Sequence, residues 1–195
     1  MTAAPFRTVL LLCATLAAAA PAVRAEMNLL ATDKLIEAIK ANDPKTAEEL
    51  LARGHDANAS DDSQRTALML AAVSGYDDAV ALLIRYRAST NTADKFGNSA
   101  LYYAAAGDNV GTIRLLLAAG ADINIGNRQG MTPLMIAAAE GHIGAVQTLI
   151  ERKADLQATD FTGRTAHDWA RRNNRAAVSR VLERAEAAAA GRPGN

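Results

Sequence analysis

The sequence predicts an all-α solenoid, a stack of about five helix-turn-helix repeats joined by short β-hairpin loops. Three observations lead there. Related segments start at Thr66 (TALMLAAVSG), Ser99 (SALYYAAAGD), Thr132 (TPLMIAAAEG) and Thr165 (TAHDWARRNN), so every start falls 33 residues after the last, and a fixed period of that size marks a repeat architecture. The 195 residues are 50% hydrophobic but only 4% aromatic, and Ala alone supplies 45 of them, which suits helices packed closely through small side chains. One 33-residue unit cannot bury its own apolar face, so neighbours must stack into a continuous core.

The first element is an address. Arg7 and the amino terminus precede an apolar run, Val9 to Ala20, and Val23-Arg24-Ala25 places small residues at the −3 and −1 positions of a cleavage site. This is the pattern of a secretory signal over 1–25, too short for a membrane span of roughly 20 residues. Cleavage after Ala25 would remove Cys13, the single cysteine. A thiol-free chain suits an oxidising compartment, and no later stretch reaches spanning length. The expected location is the periplasm of a Gram-negative bacterium, with release outside the cell as the alternative.

The repeat domain is expected over 26–184, with units starting near 28, 61, 94, 127 and 160. Extrapolating the period back reaches DKLIEAIKAND from Asp33, with Ala38 in the place of Ala71, Ala104, Ala137 and Ala170. Within each unit, apolar residues at helical spacing (Leu134, Ile136, Ala137) predict a first helix. Gly75 and Gly141 end it, since Gly takes the left-handed conformation at low cost. In repeat three Gly107 stands one place early, so its inter-helix turn should differ. A second helix follows through Val146, Leu149 and Ile150, and then a loop rich in Asn, Asp and Gly, which suit tight turns. Asp94, Asn127 and Asp160, with Asp61 in repeat two, should hold the hairpin turns. The first repeat begins with charged Asp33 and Lys34, and the last carries Arg171, Arg172, Arg175, Arg180 and Arg184; both read as polar caps. Residues 185–195 are low in complexity and read as a disordered tail.

At TPLM (Thr132 to Met135) and GADIN (Gly120 to Asn124) the chain resembles the ankyrin-repeat family, whose 33-residue unit opens on Thr-Pro-Leu-His and exits through Gly-Ala-Asp-x-Asn. The resemblance spans about Asp33 to Arg184. The family's His is replaced by Met69, Tyr102, Met135 and Asp168, so its hydrogen bonds must be missing or remade, and its Pro survives only as Pro133.

Charge and motif content exclude several functions. The 21 basic and 21 acidic residues cancel, which argues against a nucleic-acid binder. Loss of Arg7 and Arg24 with the signal leaves the chain at −2, with 26–62 at −5 and 163–184 at +4. His55, His142 and His167 lie in separate repeats with no neighbour at i+3 or i+4, so neither a zinc site nor a triad is recognisable. His142 follows Gly141 where the family has a structural Gly-His, and His167, beside Asp168 and Trp169, reads as cap packing. The pairs Glu48-Glu49, Asp61-Asp62 and Asp77-Asp78 read as solvated faces. No cofactor-binding motif appears.

The resemblance implies protein recognition by the hairpin tips and the first helices. By phase the exposed residues are Arg65, then Lys95, Phe96 and Asn98, then Arg128, Gln129 and Met131, then Phe161 and Arg164, with Arg172 at a first-helix end. Arg65, Lys95, Arg128 and Arg164 would form a positive ladder, or else pair with nearby aspartates. Phe96 and Phe161 are exposed by phase, and aromatics beside arginines are typical anchors. Tyr102, Tyr103 and Trp169 read as core. The expected function is an exported, non-enzymatic module, monomeric, that binds a protein partner as an accessory or as an inhibitor. An effector acting on host proteins is the second reading and an enzyme the third.

Overall fold

The computed structural model describes residues 34–191; the expected signal at 1–25 and the first repeat start near 28 lie outside them. Residues 34–40 form α1. After it come α2 (Pro44–Ala52), α3 (Ala67–Ser74), α4 (Asp77–Arg85), α5 (Ala100–Ala106), α6 (Val110–Ala118), α7 (Pro133–Glu140), α8 (Ile143–Glu151), α9 (Ala166–Arg172) and α10 (Ala176–Ala190). They pair as five antiparallel hairpins stacked in two layers. One layer packs α3, α5, α7 and α9 side by side; the other packs α2, α4, α6, α8 and α10. The helices of the first layer are pressed between neighbours on both sides. That is why α3 and α7 bury six residues each, three alanines in either helix beside Leu68, Met69 and Leu70 in the first and Pro133, Leu134 and Met135 in the second. The second layer faces water on one side, and there the pattern is amphipathic, as in α4 with Ala79, Val80, Leu82 and Leu83 inside.

Helix starts follow from their caps. Thr66, Ser99, Thr132 and Thr165 each accept the N–H three residues on, satisfying one of the free donors of a helix start. The residue at the absent histidine's place turns back onto the cap. Met69 Sδ accepts the Thr66 N–H at 3.4 Å, Met135 Sδ that of Thr132 at 3.5 Å, and Asp168 Oδ2 that of Thr165 at 3.0 Å. In these three units new hydrogen bonds are thus made within the same turn; Tyr102 is the exception, its hydroxyl meeting the Met131 sulfur of the next unit at 3.7 Å.

Every positive φ falls at one of three places in the period. The inter-helix turn has Asn42, Gly75, Asp108, Gly141 and Asn174; the exit of the second helix has Gly54, Arg87, Gly120 and Lys153; the hairpin tip has Gln64, Gly97, Gly130 and Gly163. Gly107 therefore is not the turn residue of repeat three. Its φ is −102°, and Asp108 at φ 53° takes the left-handed place. The expectation of a different turn is corrected to the same turn built on a different residue. Asp tolerates this conformation better than most side chains.

Three series of contacts join the repeats. On the exit loops the amide oxygens of Asn58, Asn91 and Asn124 accept the N–H of Ser89, Asp122 and Asp155 at 2.7, 2.8 and 2.9 Å. At the ends of the first helices Asn109 donates to Ala72 O (2.9 Å) and Val73 O (3.2 Å). His142 Nε2 meets Ala106 O at 2.9 Å, and Arg175 Nε donates to Ala139 O at 3.1 Å. A helix end leaves carbonyls without partners, and each repeat supplies the one before it. The third series joins the hairpin tips, described below.

At the carboxyl end α10 runs to Ala190, so the disorder expected from 185 does not hold for 185–190. Alanine is the best helix former, and the run of Ala and Glu simply extends the last helix. His167 clamps α9 onto it: Nε2 lies 2.8 Å from Ser179 Oγ, and Glu183 and Glu186 stand 3.4 and 3.3 Å from the ring nitrogens. Between the second helices of the first two hairpins, Arg85 on α4 is ion-paired with Glu48 on α2. Among the described residues no helix is long and apolar enough to cross a membrane.

Candidate functional site

The four hairpin loops between repeats share one construction. A side-chain oxygen at the loop's first residue takes the N–H two and four residues on. Asp61 Oδ1 holds Ser63 and Arg65 (2.9 and 3.0 Å), Asp94 Oδ1 holds Phe96 and Asn98 (2.8 and 2.9 Å). Asn127 Oδ1 holds Gln129 and Met131 (2.9 and 3.1 Å), and Asp160 Oδ1 holds Thr162 and Arg164 (2.8 and 3.0 Å). These short polar turns are the whole of the hairpins. The described residues contain no strand, only an isolated antiparallel bridge between Ser60 and Thr66.

The second oxygen of each of the three Asp anchors finds a different donor. Arg65 takes Asp61 Oδ2 at 2.8 Å, the Tyr103 hydroxyl takes Asp94 Oδ2 at 2.6 Å and the Trp169 indole takes Asp160 Oδ2 at 3.0 Å. Unit four has Ile136 at the place of Tyr103 and Trp169 and offers no such donor; there the anchor is Asn127, whose own Nδ2 donates to Asn98 Oδ1 at 2.9 Å. Burial pushes the Asp160 carboxyl up. The Thr162 hydroxyl, the Arg164 and Thr162 amides and the Trp169 indole more than reverse that, leaving it at about 2. Asp61 is lowered the same way, burial opposing and the Arg65 guanidinium and amides prevailing. Burial, and then the bond to Asp94, raises the Tyr103 hydroxyl.

The tips are tied to one another through the backbone. Lys95 N donates to Ser63 O (3.5 Å), Arg128 N to Phe96 O (3.1 Å) and Phe161 N to Gln129 O (3.0 Å). Two glycines make room for this. A Cβ on Gly97 would come 2.6 Å from Arg128 N, and one on Gly130 would come 2.9 Å from the Phe161 ring. The Arg128 stem and the Phe161 ring therefore lie close against the glycine of the preceding tip, in register with each other.

Six of the ten residues expected at the docking face are displayed on it. Phe161 is 80% exposed and Phe96 57%. Lys95, Arg128, Gln129 and Arg172 are exposed, with the Lys95 ammonium 5.2 Å from the Phe96 ring and the Arg172 guanidinium 5.8 Å from that of Trp169. Asn98 and Met131 are not on the face. They are 9% and 8% exposed, because the residue after the tip glycine turns inward to begin the next unit: Asn98 holds Asn127, and the Met131 sulfur lies 3.7 Å from the Tyr102 hydroxyl. Arg65 and Arg164 are half-buried and engaged in their own loops, the first with Asp61, the second with Thr162 and the Trp169 ring at 5.6 Å. The four-rung positive ladder thus divides. Arg65 and Arg164 share one register and serve the fold, while Lys95, Arg128 and Phe161 share another and face out. Tyr102, Tyr103 and Trp169 are half-buried and pack against the core, with Tyr103 and Trp169 bonded to the loop anchors.

Reading the tips one at a time missed a cleft of about 540 Å³ between the second and third, walled by Phe96, Arg128 and Gln129 and floored by Asn98, Asn127 and Tyr102. The 33-residue register of Lys95 with Arg128 was the available signal for it.

Chemically the face offers apolar rings, guanidinium and ammonium groups and amides. Elsewhere, Ser179, His167 and Glu186 line up as hydroxyl, imidazole and carboxylate. Ser179 is 8% exposed in the middle of α10 and its N–H is spent on Arg175 O, whereas acyl transfer needs free donors at the nucleophile for the developing oxyanion. Among the described residues no group of three His, Cys, Asp or Glu side chains could hold a metal ion. A family model described as ankyrin repeats (3 copies) matches residues 35–127 and 111–189. No curated protein matches the chain.

Proposed function

The chain belongs to the ankyrin-repeat family, whose repeats are generally protein–protein interaction modules, and from that premise we propose that it is an exported, non-enzymatic docking protein that holds a protein partner on its hairpin tips. The observation that carries the reading is the pair Phe96 and Phe161. Both rings are exposed on loops whose backbones are bonded to neighbouring tips. Large apolar rings held rigidly in water lose little conformational freedom on binding, and beside arginines they are the usual anchors of an interface.

Export is proposed from the signal pattern at 1–25, with the periplasm as destination. There the protein would act either as an accessory that stabilises a resident protein or as an inhibitor that blocks one. A partner whose activity falls when this chain is lost marks the accessory role; one whose activity rises marks the inhibitor. The test of the face is co-purification of the chain with its partner, repeated with Phe96→Ala/Phe161→Ala. Loss of the partner from an array with unchanged thermal stability is the expected result, and undiminished recovery would sink the face. Fractionation tests the address: recovery in the cytoplasm with residues 1–25 intact would remove it.

A further inference from the structure

The cleft between the second and third tips has a composition that selects among partners. Lys95 and Arg128 stand at it with Phe96, Tyr102 and the amides of Asn98, Asn127 and Gln129, and no carboxylate belongs to its lining. The nearest acid on the same loop, Asp94, is 3% exposed, and both its oxygens are occupied, by the Phe96 and Asn98 amides and by the Tyr103 hydroxyl. Arg65, the cation of the tip before, is already paired with Asp61. The Lys95 ammonium donates to the Ser63 hydroxyl of the tip before at 3.3 Å, and no carboxylate of the cleft's own loops answers its charge or that of Arg128.

Resting on the docking reading above, we propose that the cleft takes an acidic segment of the partner protein, an Asp or Glu carboxylate entering between Lys95 and Arg128 with an apolar neighbour against Phe96. Three features fit a carboxylate. Arg128 can present a planar pair of N–H donors to it. Its stem is held on Gly97 and its backbone N–H is fixed to Phe96 O, so the donor group starts from a defined place. The Gln129 side chain is exposed beside it and offers a further amide donor. The occupant is a protein segment in preference to a nucleic acid because the cations here are two, and the chain carries as many acidic as basic residues. Nucleic-acid binding draws on an extended basic surface.

The experiment is selection of displayed random dodecapeptides on the full chain, on Phe96→Ala/Phe161→Ala and on Lys95→Glu/Arg128→Glu, the variants first checked for unchanged thermal unfolding. The expected peptides carry Asp or Glu beside an aromatic or aliphatic residue. The charge-reversed chain should select Lys or Arg at the same place. A selected acidic peptide should lose at least roughly tenfold in affinity for Arg128→Ala, the scale of one hydrogen bond to a charged group. Peptides that need Phe96 and Phe161 but show no excess of acid, and that bind the charge-reversed chain equally, would overturn the inference and leave the docking reading standing. Peptides selected with no dependence on the two phenylalanines, or none selected at all, would overturn both. A single-stranded oligonucleotide that displaces the peptides at equal concentration would also overturn the acidic-segment inference.

Discussion

The Trp169 indole donates to Asp160 Oδ2 at 3.0 Å, and this bond ties a hairpin loop to the helix nine residues further on. Tyr103 and Asp94 repeat it two units earlier at 2.6 Å. The hairpin loops thus owe their shape to side chains within the stack.

Replacing Tyr103 by Phe keeps the ring and deletes the donor, while Trp169→Phe deletes the donor together with part of the indole; each leaves a largely buried carboxylate oxygen short of a partner. Each change should cost roughly 1–3 kcal/mol in urea unfolding. Tyr102→Phe is the comparison, since that hydroxyl reaches only a sulfur at 3.7 Å. Equal losses for Tyr102→Phe and Tyr103→Phe would show that the bond to Asp94 contributes nothing particular.

Acid should loosen the loops. The Asp160 carboxyl is at about 2 in the folded chain against an ordinary 3.8, and Asp61 and Asp168 are lowered as well. A depressed folded value stabilises fully above the unfolded value, and the contribution is lost as pH falls through the folded one. Melting temperature should therefore decline from about pH 4 towards pH 2. Asp160→Asn should be less stable at neutral pH and show a shallower decline. An unchanged slope would deny Asp160 its part in the transition.

The exit of the second helix tests backbone conformation alone. Gly120 has φ 86° and nothing within 4 Å of the place a Cβ would occupy, so Gly120→Ala should cost about 1–2 kcal/mol from the left-handed conformation itself. At the equivalent place Lys153 holds φ 66°, and Lys153→Gly should gain roughly 0.5–1 kcal/mol. Paired thermal melts decide it, and shifts of the same sign would refute the common register.

Asn91→Ala removes the acceptor for the Asp122 amide and should cost about 1 kcal/mol. Gln157 occupies the same place in the period as Asn58, Asn91 and Asn124, but among the described residues no later amide bonds to its side chain, and Gln157→Ala should stay within about 0.5 kcal/mol. Comparable losses would mean that the ladder of amides is incidental.

Much of this was legible before the structure because the period itself carries geometry. The 33-residue spacing located the helices, the segment starts at Thr66, Ser99, Thr132 and Thr165 that the structure shows to be caps, and the loop anchors at Asp61, Asp94, Asn127 and Asp160. Phe96 and Phe161 were found by the same phase. What failed was decided by side-chain reach. Asn98 and Met131 look like loop residues in sequence, yet lie past the tip glycine where the chain has already turned inward. Arg65 and Arg164 follow their anchors by four residues, close enough to fold back on their own loops. Gly107 drew the turn to itself because Gly is the expected left-handed residue, while the period had assigned that turn to Asp108. The tail was misread because low complexity was taken for disorder, although alanine runs are strong helix formers.

The contacts that join the repeats also have a direction. Asn109, His142 and Arg175, the amides of Ser89, Asp122 and Asp155, and the tip amides of Lys95, Arg128 and Phe161 all give their protons to the unit before them; among the described contacts only the Tyr102 hydroxyl on the Met131 sulfur points the other way. The array is therefore a vector. Cut between any two units, it would show acceptors on one broken surface and donors on the other, surfaces that match each other and not themselves. A duplicated 33-residue segment could be spliced into the middle and meet what it needs on both sides, whereas a unit turned end for end would oppose donor to donor. In such a chain, growth by tandem copying is chemically easy and inversion is not.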